Sequence, residues 1–332
     1  MRVFVTGGTG FVGANLIRLL LAQGHSVKAL VRPQSNLANL QGLDVELIEG
    51  DLHSSHLVTS MKGCQVLFHV AACYSLWQRD RNLLYQSNVL GTENILHHAK
   101  DAGIERTVYT SSVAAIGVGE AGNPINETHQ SPVEKLTGYY KKSKYYAEQK
   151  ALAAAKSGQD VVIVNPTTPI GAWDIKPTPT GEIIVRFLER KMPFYVDTGL
   201  NLIDVEDVAW GHLLAMDRGI SGDRYILGNQ NLTLKQILDK LATITGLSAP
   251  KSTIPYVIPY GVAWLEEKIL APLGKKTSIA IDGVKMSRQK MFYDPSKAIQ
   301  QLGLPQSSVD LALTKAVRWF QRNKIEAGLS NV

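Results

Sequence analysis

The chain opens with a short apolar run, Val3 to Thr6, that stops at a cluster of glycines; apolar residues then recur with helical spacing at Leu16, Leu19, Leu20 and Ala22 and close at Gly24. This pattern predicts strand, turn, helix. A second apolar run in HSVKALVR completes a βαβ unit, for which a right-handed parallel crossover is expected. ELIEGDL (Glu46 to Leu52), QVLFHVAA (Gln65 to Ala72), RTVYTSSVAAIG (Arg106 to Gly117) and DVVIVNPT (Asp160 to Thr167) read as the third to sixth strands. Helical patterns at Tyr85 to Ala102 and Tyr140 to Lys156 separate them. Such alternation predicts an α/β doubly wound parallel sheet with its ligand crevice at the carboxyl ends of the strands.

Beyond Asn165 the pattern changes. KPTPTG (Lys176 to Gly181) reads as a proline-rich loop and Glu182 to Lys191 as a helix. GDRYILGN (Gly222 to Asn229) is expected to return a strand to the main sheet. LTLKQILDKLATITG carries a core-facing stripe at Leu234, Ile237, Leu238, Leu241 and Ile244. The stretch Ile254 to Leu270 is unusually apolar and aromatic, and two readings stand for it: a lid or core helix, or a surface that receives a lipid-like substrate or touches a membrane.

Composition narrows the function classes. The 332 residues are 45% hydrophobic, enough for one large domain or two smaller ones. The only cysteines, Cys64 and Cys73, cannot make a disulfide framework, which fits a reducing compartment and predicts a cytoplasmic protein. The start MRVFVTGG lacks the apolar length of a signal peptide, and no run of 18 uncharged apolar residues predicts a transmembrane span. The net charge of +6 is scattered without a basic block, which argues against nucleic acid; a small anionic cofactor accounts for it as well. His53 with His56 and His97 with His98 lack the acids or thiols that would complete a ligand set, so no metal is expected.

The chemistry starts at the glycines. Gly7, Gly10 and Gly13 have G-x-x-G-x-x-G spacing between strand and helix, where a tight turn, a close backbone approach to a pyrophosphate and close helix packing are each needed. The helix start at Gly10, Phe11, Val12 and Gly13 offers unpaired N–H groups to phosphates. At the end of the second strand no carboxylate awaits a ribose hydroxyl. Arg32 stands there, with Ser35 and Asn36 as further donors, and this favours the 2′-phosphate of NADP(H) over NAD(H). The other strand ends place Asp51, Leu52, Ala71, Ala72, Ser111, Ser112, Asn165, Pro166 and Thr167 at the same crevice. Asp51 reads equally as acceptor for an adenine amine or as a helix N-cap.

The stretch GYYKKSKYYAEQK holds two tyrosine–lysine pairs at i, i+4, Tyr140 with Lys144 and Tyr146 with Lys150. They lie six residues apart, roughly 240° around a helix, so one site cannot use both. Small residues follow on either face, and spacing alone leaves the choice open.

With TGGTGFVG, the alanines after strand four, TSS after strand five and Y-x-x-x-K within YKKSKYYAEQ, the chain resembles the extended short-chain dehydrogenase/reductases over essentially its whole length. The resemblance implies a Rossmann-type fold, with residues 1–166 binding the dinucleotide and a segment near 203–229 returning to that domain. A smaller substrate-capping domain would comprise 167–202 and 230–332. It makes Ser112, Tyr140 and Lys144 the catalytic set, because the S-K-x-x-A-E tail follows the family tyrosine, and it gives Asn88 in YQSNVLGTENIL a part in holding the active-site helix and proton relay. Lys144 would also hold the nicotinamide ribose. Tyr140 would protonate the developing alkoxide. A tyrosine of ordinary pKa, about 10, needs help from the Lys144 ammonium, and a shift of about three units requires roughly 4 kcal/mol. Ser112 would donate to the substrate oxygen.

Among branches, the family's dehydratases carry an Asp-Glu pair where this chain reads SSVAA, and its sugar-nucleotide epimerases carry an arginine where DTGLNLIDVEDVA has none. The fit is to NADPH-dependent reduction of a ketone or aldehyde, as in the dihydroflavonol 4-reductase-like branch, on a small-molecule carbonyl substrate that an apolar compound would satisfy. The stretch from Asn165 to Asn201 also resembles the bacterial hopanoid-associated sugar epimerases, so epimerisation with bound NAD is the alternative, and a non-catalytic NADP-binding protein is a third. Family precedent implies a monomer or homodimer, and the apolar stretch admits peripheral membrane contact.

Overall fold

The computed structural model describes residues 1–270 and 280–326. Its strands are β1 (Arg2–Thr6), β2 (Ser26–Val31), β3 (Val45–Glu49), β4 (Val66–His69), β5 (Arg106–Thr110), β6 (Val161–Pro166), β7 (Thr168–Ile170), β8 (Phe194–Tyr195), β9 (Gly199–Asp204), β10 (Arg224–Leu227), β11 (Gln230–Thr233), β12 (Ser252–Thr253) and β13 (Lys290–Met291). Seven of them form one sheet in the order β10-β6-β5-β4-β1-β2-β3, and every pairing in it is parallel. The chain leaves β3 at one edge and re-enters beside β1 as β4. That reversal opens a crevice at the carboxyl ends of β1 and β4.

Both faces of this sheet are covered, as apolar strands buried on two sides require. On one face the helices Phe11–Ala22 and Val205–Arg218 pack Leu16, Ile17, Leu20, Val208 and Leu213 against Val3, Val5, Val162 and Val164. On the other, the helices Gly91–Asp101 and Gly138–Lys156 bring Ile95, Leu96, Ala147 and Ala151 onto Phe4, Leu67, Tyr109 and Ile163. Ala147 and Ala151 have no exposed surface, and their small side chains let the long helix lie close to the sheet.

A second sheet is built around β9, which pairs with β11 antiparallel and with β7 and β13 parallel. The helices Pro179–Leu188, Leu234–Thr245 and Val309–Glu326 cover it with a separate core that includes Ile184, Phe187, Leu238, Leu241, Leu313 and Phe320. Gly222–Asn229 contributes β10, the outermost strand of the large sheet beside β6.

Three segments differ from their sequence patterns. The run Arg106 to Gly117 is not one strand: β5 ends at Thr110, and Ser112, extended at φ −168°, accepts from the Ala114 N–H and caps a helical turn at Val113–Ile116. The helix expected from Glu182 begins at Pro179, because Thr178 caps it by accepting from the Gly181 N–H and proline suits its first position. Last, the apolar stretch from Ile254 holds a helix, Val257–Leu265, of which only Ala263 is buried; it is not a core helix.

Candidate active site

The glycine turn sits at the carboxyl end of β1. Gly7 has φ +74°, and a Cβ there would lie 2.6 Å from the Ala71 nitrogen, so the left-handed conformation and the close pass of two strand ends both require glycine. At Gly13 a Cβ would lie 2.2 Å from the Gly7 carbonyl oxygen, which locks the helix onto the turn. Gly10 is exposed, and a Cβ there would meet only the Gly7 oxygen, at 3.3 Å. No side chain caps the helix it begins. The N–H groups of Phe11, Val12 and Gly13 thus lack intrahelical acceptors, a donor set suited to a diphosphate.

Around this turn the strand ends gather the other residues. The Ala71 N–H donates to Thr6 Oγ1 at 3.2 Å, and Ala72 is exposed beside it. Arg32 is exposed immediately after β2. Burial pushes the Cys73 thiol upward and Asp80 adds to this, while the charges of Arg32 and Lys176 oppose it, which puts both cations within electrostatic reach of the crevice. Asp51 accepts from the His53 N–H at 2.8 Å in a local turn; the next helix begins only at Leu57, so Asp51 is not its N-cap. Leu52 accepts from Asn94 through its carbonyl. Asn165 and Pro166 are buried at the end of β6 and Thr167 follows, its N–H and hydroxyl both donating to the Leu227 carbonyl. Asn165 Oδ1 is buried without a protein partner, while its Nδ2 donates to the Ser112 carbonyl and to Glu148.

The helix Gly138–Lys156 separates the two tyrosine–lysine pairs. Tyr146 is 43% exposed and Lys150 is ion-paired with Glu93 on the surface, 2.7 Å away. Tyr140 faces the crevice region: its ring meets that of Tyr74 edge-on with centroids 4.6 Å apart, and the Ser112 side chain is near enough to act on its hydroxyl. Burial pushes the Tyr140 hydroxyl up to about 12, with the nearby Ser112 side chain working against it.

Lys144 is only 2% exposed, and burial lowers its ammonium to about 8 although Glu148 opposes the shift. Its Nζ donates to the Thr110 carbonyl at 2.9 Å and lies 3.5 Å from Tyr109 Oη and 5.2 Å above the Tyr109 ring. The expected lowering of Tyr140 by Lys144 is therefore not what this geometry gives. Lys144 shares the helix face of Tyr140, but its four-carbon stem carries the charge inward to the end of β5, and the surroundings of the phenol leave its acidity to burial and Ser112.

Asn88 lies in a π-helical turn, Tyr85–Leu90, within the helical segment that starts at Arg81. Its Oδ1 accepts from the Cys73 N–H at 2.7 Å, and its Nδ2 donates to the Cys73 carbonyl and to Ser143 Oγ, both at 2.9 Å. Ser143 in turn donates to the Tyr140 carbonyl at 2.8 Å. One amide thus fastens the crevice loop to the helix that bears Tyr140.

Several residues here escape the sequence reading. Tyr74 packs on Tyr140 from a loop without periodicity. Glu148, buried to 1%, accepts from Asn165 Nδ2 at 2.6 Å and Arg224 at 3.2 Å, tying the long helix to β6 and β10; the S-K-x-x-A-E tail contains it without disclosing that role. Asn39 Nδ2 bridges the carbonyls of Thr9 in the glycine turn and Trp173 in the next unit, at 3.0 and 3.1 Å. Among the described residues, no group of three or more His, Cys, Asp or Glu side chains could hold a metal.

A parallel sheet with an uncapped glycine turn at its switch point, beside a buried lysine and a tyrosine–serine pair, has the layout of an NAD(P)-dependent oxidoreductase. The chain belongs to the NAD dependent epimerase/dehydratase family, which it matches over residues 3–228, and within it to the extended short-chain dehydrogenase/reductases. It is 65% identical to a Synechocystis sp. protein named "Putative dihydroflavonol 4-reductase", over 96% of this chain and 94% of that one. It is 35% identical to the sterol demethylase protein B of Methylococcus capsulatus, over 97% and 98%. Among solved structures, the crystal structure of gox2253 superposes with a TM-score of 0.86 at 40% identity, covering 97% of this chain and 98% of the other.

Proposed function

We propose that the protein reduces an apolar ketone or aldehyde with NADPH. The observation that carries this reading is the pairing of Tyr140 with Ser112 at the strand ends, with Tyr140 held protonated by burial. A phenol protonated at neutral pH is a proton donor, which is what the developing alkoxide of a reduced carbonyl needs. When bound, the reduced nicotinamide supplies the hydride. Ser112 donates to the carbonyl oxygen and polarises it, Tyr140 gives up its proton to that oxygen, and Lys144 keeps a cation beneath the site. Asn88 positions Tyr140 through Ser143 and acts indirectly.

For the dinucleotide, Gly7, Gly10 and Gly13 with the N–H groups of Phe11 and Val12 would take the diphosphate. Arg32 would take the 2′-phosphate; Asp51 and Leu52 would border the adenine, and Ala71, Ala72, Asn165, Pro166 and Thr167 the nicotinamide half. The reductase name of the Synechocystis relative supports carbonyl reduction, and the sterol in the name of the Methylococcus relative supports an apolar substrate.

The test follows NADPH consumption with a panel of apolar ketones for the wild type, Tyr140→Phe and Tyr146→Phe. Tyr140→Phe is expected to lose turnover by about 10²–10⁴-fold with an unchanged NADPH dissociation constant, the span of a lost general acid. Tyr146→Phe should match the wild type. Undiminished turnover in Tyr140→Phe would sink the mechanism.

A further inference from the structure

The helix Val257–Leu265 is almost wholly apolar, yet its apolar side chains face outward. Val257 is 69% exposed, Ile258 52%, Trp264 47% and Leu265 46%, and Ile269 in the turn that follows is 42% exposed. Such a contiguous patch on a soluble protein marks an interaction surface. Its underside is a small cluster in which Ala263 meets Ile281 and Val284 of the helix Ile281–Met286.

That supporting helix borders the candidate active site. A Cβ at Gly138, where the Tyr140 helix begins, would lie 2.8 Å from Asp282 Oδ2, and one at Gly283 would lie 3.1 Å from Leu76 Cδ1. Leu76 shares its loop with Tyr74, whose ring rests on Tyr140. The single helix Ile281–Met286 therefore separates the outward apolar helix from the rim of the crevice.

The fully exposed charges around the patch are positive. In residues 251–270 and 280–289 the exposed ionisable side chains are Lys251, Lys268, Lys285 and Arg288, with the Arg288 guanidinium 5.7 Å over the Tyr256 ring. The acids of these segments are turned to other uses: Glu267 accepts from the Ile281 N–H, Asp282 is buried, and Glu266 is half-buried. Outward apolar side chains, tyrosine and tryptophan rings and a cationic rim complement an anionic bilayer surface, with the rings at headgroup level and the cations on the phosphates.

We propose that Val257–Leu265 docks the protein on anionic membranes and sets the crevice at the lipid boundary, where an apolar carbonyl substrate enters from the bilayer. The delivery of substrate rests on the reductase reading; the docking does not.

The full-length protein is sedimented with vesicles of phosphatidylglycerol and phosphatidylcholine, or of phosphatidylcholine alone, and compared with the double variant Val257→Glu/Ile258→Glu. Both positions are exposed, so the fold is not at stake, and a thermal melt with gel filtration checks this. The wild type is expected to pellet with the anionic vesicles, less so as salt rises. The double variant should partition about 100-fold more weakly, roughly tenfold for each apolar side chain withdrawn from the interface. Its turnover of a water-soluble carbonyl should be unchanged. A wild type that stays in the supernatant with every vesicle, or a double variant that pellets equally well, overturns the proposal. If the substitutions instead split a dimer and no vesicle binds, the patch belongs to a second copy of the chain. Vesicle binding is read without turnover, so an inactive but membrane-bound protein would refute the reductase reading and leave the docking intact.

Discussion

Tyr140 and Tyr146 are the same residue type on one helix, and their surroundings divide them. Tyr140 is packed by Tyr74 and has Ser112 beside its hydroxyl; Tyr146 is exposed. The lysines divide the same way, Lys150 in a surface ion pair and Lys144 buried with its Nζ on the Thr110 carbonyl. Because burial lowers Lys144 to about 8, it is charged below that pH and neutral above it. The kcat/KM for carbonyl reduction, which reports the free enzyme, is expected to fall as pH rises past about 8. In Lys144→Met the residual activity should show no such step, and a step unchanged in that variant would assign it to another group. That a tyrosine and a lysine share a helix face was legible from i, i+4 spacing, but spacing did not divide Tyr140 from Tyr146; the family resemblance of the S-K-x-x-A-E tail chose Tyr140. The resting place of the Lys144 ammonium was not, since spacing says nothing about where a flexible stem ends. Tyr74 was illegible for a related reason: only the folded loop brings it to Tyr140.

At the scale of elements, apolar runs identified all six strands read up to Thr167, and the ends of those runs misled. Val113 to Ile116 continues the apolar run of β5, but Ser112 supplies a cap, and a capped turn of helix competes with further strand. The π-helical turn at Tyr85–Leu90 leaves no mark in apolar periodicity, although Asn88 lies within it. Glu148 shows what such unmarked residues do. Its carboxylate holds Asn165 of β6 and Arg224 of β10 to the helix that carries Tyr140 and Lys144. Truncation to alanine would leave a largely buried guanidinium unpaired, and Glu148→Ala is expected to lose about 3–5 kcal/mol of stability in denaturant unfolding. Glu148→Gln keeps a hydrogen-bond acceptor and should lose less. A loss below about 1 kcal/mol in Glu148→Ala would mean that the network does not hold these elements together.

For the molecule as a whole, the reversal between β3 and β4 opens the crevice beside the glycine turn, and β6 runs on directly into β7 of the second sheet. The α/β alternation made the large sheet legible. The small sheet was not, because its strands are short and come from distant parts of the chain, with β13 following β9 by about ninety residues. The reductase reading depends most on the dinucleotide this crevice takes, and Arg32, exposed at the end of β2 where no carboxylate stands, is the residue that would choose it. The most direct measurement is to denature the protein as purified, identify any released dinucleotide by mass spectrometry, and titrate NADPH and NADH into the native wild type and Arg32→Ala. The site is expected to exchange freely, to prefer NADPH, and to lose that preference in Arg32→Ala through weaker NADPH binding while NADH is unaffected. Stoichiometric NAD⁺ that does not exchange would contradict it and make the protein an epimerase that keeps its dinucleotide.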